Sequence, residues 1–413
     1  MSIKIQKNIP LLKYTTFKIG GPAKYFCVVK SSDEIKKALE FAEKNKLKIF
    51  VLGGGSNLLI SDKGFDGLVL RIANCELRIA NKNIQYLISN IQYSKIVCDA
   101  GVPLVKLVNE SIKGNLTGLE WAAGIPGTVG GAIVNNAGAN GKSMSDVVEE
   151  VEILDIGYWI LGTPPSPPLS GGEYKDNFPL SGGEYKDNFP LSEGEYKDNF
   201  PLSGEEHKDS SPLSGREYKD SPLSEEEKKN SLLSERESIS SPDKGGWGVK
   251  KLVNKQCQFS YRDSVFKREK KYVILSAVLK LKKGNQEESK KTISEILKSR
   301  KEKQPLEYPS AGSVFKNPSV DDERLKKLIK KYPELNNIAK NNIIPVGWLI
   351  GQIDGLKNKK IGGAMISEKH CNFIVNTGNA KAEDVVILIS LIKQKVRNRF
   401  GIQLKEEVEY VGF

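Results

Sequence analysis

Residues 121–143 read WAAGIPGTVGGAIVNNAGANGKS, with glycines at 124, 127, 130, 131, 138 and 141. The spacing at the centre is G-x-x-G-x-x-G-G. The dinucleotide fingerprint is G-x-G-x-x-G opening a strand–turn–helix unit, and this stretch has neither that spacing nor that setting. Its end, GANGKS, imitates a phosphate-binding loop, but that motif needs a glycine five residues before Gly141, where Asn136 stands. A second cluster, VLGGGSNLLISD (51–62), puts Gly53, Gly54 and Gly55 after an apolar strand, followed by Ser56 and Asn57. Consecutive glycines let backbone amides point into one concavity and approach an anion closely, and the two polar side chains add hydrogen bonds. A plain glycine-rich hairpin turn is the competing reading. Two such loops lacking either standard fingerprint predict a long diphosphate held by loops, as in a flavin fold that is not of Rossmann type.

Working outward, the pattern is α/β-rich. YFCVVK alternates as a strand, and SSDEIKKALEFAEKNK has a Ser/Asp cap and apolar i, i+3, i+4 spacing. KIFVLG, GLVLRI and KIVCDAG read as strands, and PLVKLVNESIKG as a helix closed by Gly114. Further on come a strand in KKYVILSAVLKLKKG, helices in QEESKKTISEILKSRKEK and AEDVVILISLIKQKVRNRFG, and a final strand in KEEVEYVGF.

Between these halves lies a repeat. Ser170, Ser181, Ser192, Ser203 and Ser214 recur at intervals of eleven residues, and Ser224 and Ser234 follow at intervals of ten. A solenoid repeat would supply several inward apolar positions per unit. These units offer Tyr, Phe and Leu at best and carry proline and acids, so little burial can offset the ordering entropy. The change of period also breaks any fixed register. Residues 158–246 are therefore expected to be a disordered low-complexity insertion.

That segment is acid-rich, so the remainder is more basic than the chain's net +12. A basic body suits anionic partners such as a nucleotide cofactor or phosphorylated substrate, although a lysine-rich coding bias gives the same count. The lysines of KSRKEKQ and RLKKLIKKY are spread out and not interleaved with aromatics, which disfavours a nucleic-acid face. Cys27, Cys75, Cys98, Cys257 and Cys371 are odd in number with no CxxC spacing, as expected of reduced thiols in a cytoplasmic setting. The opening residues lack an apolar core long enough for a signal peptide, and no apolar run is long enough to span a membrane. Only His207 and His370 are present, which argues against histidine-ligated metals and Ser-His-Asp chemistry; no metal is expected.

Six ordered blocks then carry a resemblance. YTTFKIGGPA, VLGGGSNLLISDKGFDGLVL, LEWAAGIPGTVGGAIVNNAGANG, FSYRDSVFKRE, YPSAGSVFKNP and IGGAMISEKHCNFIVN together resemble the UDP-N-acetylenolpyruvoylglucosamine reductase (MurB) family over nearly the whole chain outside the repeat. The resemblance implies an α+β fold: a vanillyl-alcohol-oxidase/PCMH-type FAD-binding fold plus a C-terminal substrate-binding α+β domain. It implies FAD-binding subdomains at 1–70 and 71–303 (the second interrupted by 158–246), a substrate domain at 304–400, and a C-terminal strand at 401–413 returning to the site. The implied reaction is NADPH-dependent reduction of the enolpyruvyl ether of UDP-N-acetylglucosamine to UDP-N-acetylmuramate, by a cytoplasmic monomer with non-covalent FAD. A different flavoenzyme of the same fold, or a non-catalytic ligand-binding relic, are the alternatives.

The candidate residues make chemical sense of that reaction. FAD is expected on Gly53, Gly54, Gly55, Ser56 and Asn57, and on Gly124, Pro126, Gly127, Thr128, Gly130, Gly131 and Asn135. Hydride added to a vinyl carbon leaves negative charge that spreads into the substrate carboxylate. Arg262 matches the family's motif arginine and can fork onto that carboxylate. Ser313 matches the family's proton donor; serine is a weak acid, but a carbanion-like centre is a strong base. Glu407 matches the C-terminal glutamate, with Glu406 as a rival on the opposite face of an alternating strand. Arg300, Lys303, Lys316 and Asn317 resemble the family's further substrate-binding groups, although a basic helix end is ordinarily just solvated.

Overall fold

The alternating segment around YFCVVK becomes β2 (Pro22–Val29), preceded by β1 (Ile5–Pro10) and followed by the helix Ser32–Lys44. Ser31 caps that helix by accepting the Glu34 N–H at 3.2 Å, and Asp33 and Glu34 place negative charge on its first turn. Ile35, Ala38, Leu39 and Ala42 form its buried stripe. The chain then returns through β3 (Lys48–Leu52), β4 (Leu58–Ile60) and β5 (Phe65–Ile72). The sheet order is β1-β2-β5-β3, with β2 and β3 both parallel to β5 and β1 antiparallel to β2.

The second sheet is antiparallel. It uses β6 (Leu77–Ala80), β7 (Tyr93–Asp99), β8 (Leu116–Thr117), β11 (Val148–Asp155), β12 (Gly248–Val253) and β13 (Tyr272–Lys283), with β9 (Gly138–Ala139) and β10 (Lys142–Ser143) as a separate small ribbon. Its order is β12-β11-β13-β7-β6, with β8 also on β13. The structure, a computed structural model, describes residues 3–80, 93–157 and 248–413, which fall in one compact unit. The expected insertion at 158–246 lies outside the described residues. Its flanks do not: Asp155 pairs with Gly248, so the chain leaves β11 and re-enters β12 at adjacent points of one ladder.

The parallel and antiparallel sheets share a core. Ile35, Leu68, Ile96, Val151 and Leu279 are each at most 2% exposed within it. Truncating one of these to Ala typically costs about 2–5 kcal/mol.

The last part of the chain builds β14 (Ser310–Ser313), β15 (Lys360–Ile361), β16 (Ala364–Ile366) and β17 (Phe373–Asn376) in the order β14-β17-β16-β15. The helix Ala382–Phe400 buries Val385, Leu388, Ile389, Ile392 and Val396 in a core that also takes Phe17 and Leu59 from the N-terminal part. Polar ties reinforce this contact. Thr16 Oγ1 donates to Ser310 O at 2.7 Å, Asn376 Nδ2 to Phe17 O at 3.1 Å, and Asp62 accepts the Ala382 N–H at 2.8 Å.

The final strand is shorter than expected. Only β18 (Glu409–Val411) is regular, and it runs parallel to β4. Residues 405–408 are instead held against the residues that follow β14, where Lys316 N donates to Lys405 O and Glu407 N to Val314 O. The segment therefore makes an isolated bridge first and joins a ladder only at its end.

Candidate active site

The two glycine clusters meet as backbone against backbone. A Cβ at Gly54 would lie 2.5 Å from Gly127 Cα, so the two backbones meet because Gly54 lacks a side chain. Gly127 has φ +117°, a conformation that L side chains rarely adopt. Ser56 Oγ then donates to Pro126 O at 3.1 Å, and Thr128 caps the short helix Val129–Val134. All twelve residues assigned to FAD by the sequence, except Gly124, line one cleft. Gly124 lies just behind it, where a Cβ would be 3.0 Å from Arg300 Nε.

Arg300, expected on the substrate, instead stands in the cleft wall beside the cofactor loops, and its buried Nε has no hydrogen-bond partner among the described residues. Burial pushes this guanidinium below its usual range. A half-buried cation without an acceptor beside two loops free of side chains fits a dinucleotide diphosphate, which would supply both the anion and the missing acceptors. The residues present therefore fit FAD.

The other end of the cleft is charged. Arg262, itself at φ +56°, donates from Nη2 to Gly138 O at 2.7 Å. Its Nε approaches Glu407 Oε1 at 2.8 Å, an ion pair in which the N–H is not aligned on the oxygen. Burial raises the Glu407 carboxyl above its ordinary value, and Arg262, Lys267 and Lys316 oppose that shift. Ser313 ends β14 and lines this cleft together with Arg262 and Glu407. Its hydroxyl makes no hydrogen bond to another described residue, which leaves the proton available to a ligand.

The neighbouring glutamates diverge. Glu406 accepts from Lys393 Nζ at 2.9 Å on the long C-terminal helix, while Glu407 enters the cleft. Lys316 faces Glu407 electrostatically without lining the cleft, and Asn317 Oδ1 accepts the Val346 N–H at 3.0 Å. Lys303 lines neither this cleft nor its neighbour.

Two features escaped the sequence. Lys267 lines the cleft and donates to Asn135 Oδ1 at 2.8 Å, yet in FKRE it reads as any solvated lysine. A second cavity shares Ser313 with the first and is lined by Asn317, Trp348, Lys357, Lys369 and His370. The Asn372 N–H donates to His370 Nδ1 at 3.3 Å, so the neutral ring carries its proton on Nε2. Burial pushes the pKa of that ring down, favouring the neutral form. All five cysteines are unpaired.

The profile of the UDP-N-acetylenolpyruvoylglucosamine reductase C-terminal domain matches residues 304–411, and that of an FAD binding domain matches residues 23–157. The UDP-N-acetylenolpyruvoylglucosamine reductase of Caldanaerobacter subterraneus subsp. tengcongensis is 32% identical over 99% of this chain and 94% of its own length. That of Lachnoclostridium phytofermentans is 30% identical over 99% and 93%. Among solved structures, the reductase from Thermus caldophilus aligns over 100% of this chain and 99% of its own, with a TM-score of 0.57 and 26% identity.

Proposed function

Because this chain belongs to the UDP-N-acetylenolpyruvoylglucosamine reductase family, we propose that it reduces the enolpyruvyl ether of UDP-N-acetylglucosamine to UDP-N-acetylmuramate with hydride from NADPH. It is an FAD-dependent oxidoreductase of peptidoglycan synthesis. One observation carries the reading: Arg262, Ser313 and Glu407, from three separate segments, line the same cleft as both glycine loops.

FAD held on the two glycine loops would supply the hydride chemistry needed at the terminal vinyl carbon. The protein manages the negative charge that hydride leaves on the substrate. Arg262 holds the substrate carboxylate, into which that charge spreads, and Glu407 orients the guanidinium from the other side. Ser313, its hydroxyl uncommitted, gives the proton to the carbon that becomes electron-rich. Arg300 and the loops around Gly54 and Gly127 hold the diphosphate of the cofactor. The second cavity, with Lys357, Lys369, His370 and Trp348, suits the nucleotide diphosphate of the substrate and meets the first at Ser313. In this reading, residues 1–70 and 71–303 form the cofactor half, 304–400 the substrate half, and 401–413 the segment that joins them. The working state is a cytoplasmic monomer without nucleic-acid partners.

The test uses the purified protein. Bound, non-covalent yellow flavin and NADPH oxidation that depends on the enolpyruvyl sugar nucleotide are expected. Absence of flavin, or NADPH oxidation indifferent to the sugar nucleotide, overturns the assignment.

A further inference from the structure

Lys267 stands on the short helix Val265–Glu269, whose cap Ser264 is fully buried and donates to Val134 O at 2.6 Å. The helix is thereby fastened to the second glycine loop. From it, Lys267 Nζ reaches Asn135 Oδ1 at 2.8 Å. Asn57 Nδ2 meets the same oxygen at 3.4 Å and also donates to Glu407 O at 3.0 Å. A single hydrogen-bonded chain therefore runs from Lys267 through one residue of each cofactor loop to the backbone of Glu407.

The charges around Lys267 are incompletely matched. No carboxylate lies within ion-pair distance of its ammonium among the described residues. Lys316, Glu409, Glu407 and Asp263 face it, but Glu409 is paired with Lys270, Asp263 with Arg268, and Glu407 with Arg262. Burial and Lys316 push the Lys267 pKa down, so the site tolerates this cation at a cost. An unpaired half-buried ammonium held beside a catalytic carboxylate calls for a role beyond solubility.

Resting on the activity assigned above, we propose that Lys267 is a positioning residue of the reaction: through Asn135 and Asn57, and by its own charge, it fixes the Glu407 carboxylate against Arg262. It acts on the step that uses Glu407, the transfer to the sugar nucleotide, and not on cofactor loading or on hydride uptake from NADPH.

Lys267→Met, Lys267→Gln and Lys267→Arg separate the possibilities. Lys267→Met is expected to keep its FAD content and melting temperature. Reduction by NADPH should stay within about 3-fold, and reoxidation by the sugar nucleotide should slow roughly 10- to 100-fold. The acid limb of the reoxidation pH profile should move to higher pH, because of the three cations facing Glu407 only Arg262 and Lys316 remain. Lys267→Gln, which keeps a donor for Asn135 without the charge, should show the same limb shift with a smaller loss of rate. Lys267→Arg should restore most of both. It also keeps the idea testable if the neutral variants fail to fold: an Arg variant with FAD but slow reoxidation and a shifted limb counts against it. Equal losses in both half-reactions with an unmoved limb would make Lys267 structural only. Unchanged reoxidation in Lys267→Met overturns the role while leaving the activity intact, whereas a wild-type protein that never reoxidises with the sugar nucleotide overturns both.

Discussion

One end of the cleft is made of backbone and the other of side chains. At the glycine end, Gly54 approaches Gly127 so closely that a Cβ on Gly54 would collide, and backbone shapes the surface while Arg300 adds charge from the wall. At the charged end, Arg262, Ser313 and Glu407 arrive from a loop, a strand end and the C-terminal segment, and burial disturbs the Glu407 carboxyl. A backbone cradle holds a ligand that stays. Side chains with perturbed ionisation serve a ligand whose charge changes during turnover. The two ends should accordingly fail in different ways.

The sharpest separation comes at Ser313. Ser313→Ala should let NADPH reduce the protein at the normal rate while reoxidation by the sugar nucleotide falls roughly 10²–10⁴-fold. Stopped-flow absorbance resolves the two steps, and normal reoxidation removes Ser313 as the donor.

Next come the adjacent glutamates. Glu407→Gln should slow reoxidation by about 10²-fold. Glu406→Gln loses only a partly exposed pair with Lys393, worth about 0–1 kcal/mol, and should leave turnover within about 2-fold. Reversed magnitudes would exchange their roles. The pH dependence of stability offers an independent check. The folded protein holds the Glu407 carboxyl above its ordinary value near 4.5. Its contribution to stability is therefore full below that value and is lost as pH rises through the folded one. Relative to wild type, Glu407→Gln should gain melting temperature as pH rises across that window; a parallel pair of curves contradicts the shift.

The glycine end should break without touching chemistry. Gly127→Ala forces a side chain into φ +117° with its Cβ 2.8 Å from Ser56 Oγ. Strain of about 1–3 kcal/mol corresponds to roughly 10- to 100-fold weaker FAD retention. Molecules that keep the flavin should show normal half-reactions, and slow reoxidation in the loaded fraction would merge the two ends into one.

The least disturbance to either end is expected from replacing residues 158–246 with an Asn-Gly turn. Asp155 and Gly248 are already ladder partners, so a short turn can join them without moving the sheet. If the segment closes as a flexible loop, as its composition predicts, shortening it recovers about 3 kcal/mol of closure entropy. A higher melting temperature with unchanged flavin and turnover is expected. A shortened protein that keeps flavin but cannot reduce substrate would give the repeat a catalytic part.

Legibility in the sequence divides along the same contrast. The helix Gln286–Lys303 and the cap at Ser31 were legible because local periodicity and capping determine them. The glycine loops were legible because close backbone approach leaves little choice of residue. KEEVEYVGF alternates like a strand throughout, yet residues 405–408 are bound to Val314 and Lys316, a partner no local pattern announces. Lys267 was invisible for a related reason: its burial depends on Asn135, more than a hundred residues earlier, while its neighbours Arg268 and Lys270 take the paired roles ordinary for surface charges.

The hydrogen bond from Asn57 to the backbone of Glu407 joins residues 350 positions apart. A ribosome adding about 5–20 residues per second delivers the second partner roughly 20–70 s after the first. For most of that interval, once residue 143 has been added, the growing chain contains both glycine loops but not the carboxylate that faces Arg262. Translation thus delivers both cofactor loops before the carboxylate that completes the site. A chain halted between those points would carry both cofactor loops while contributing nothing to the wall.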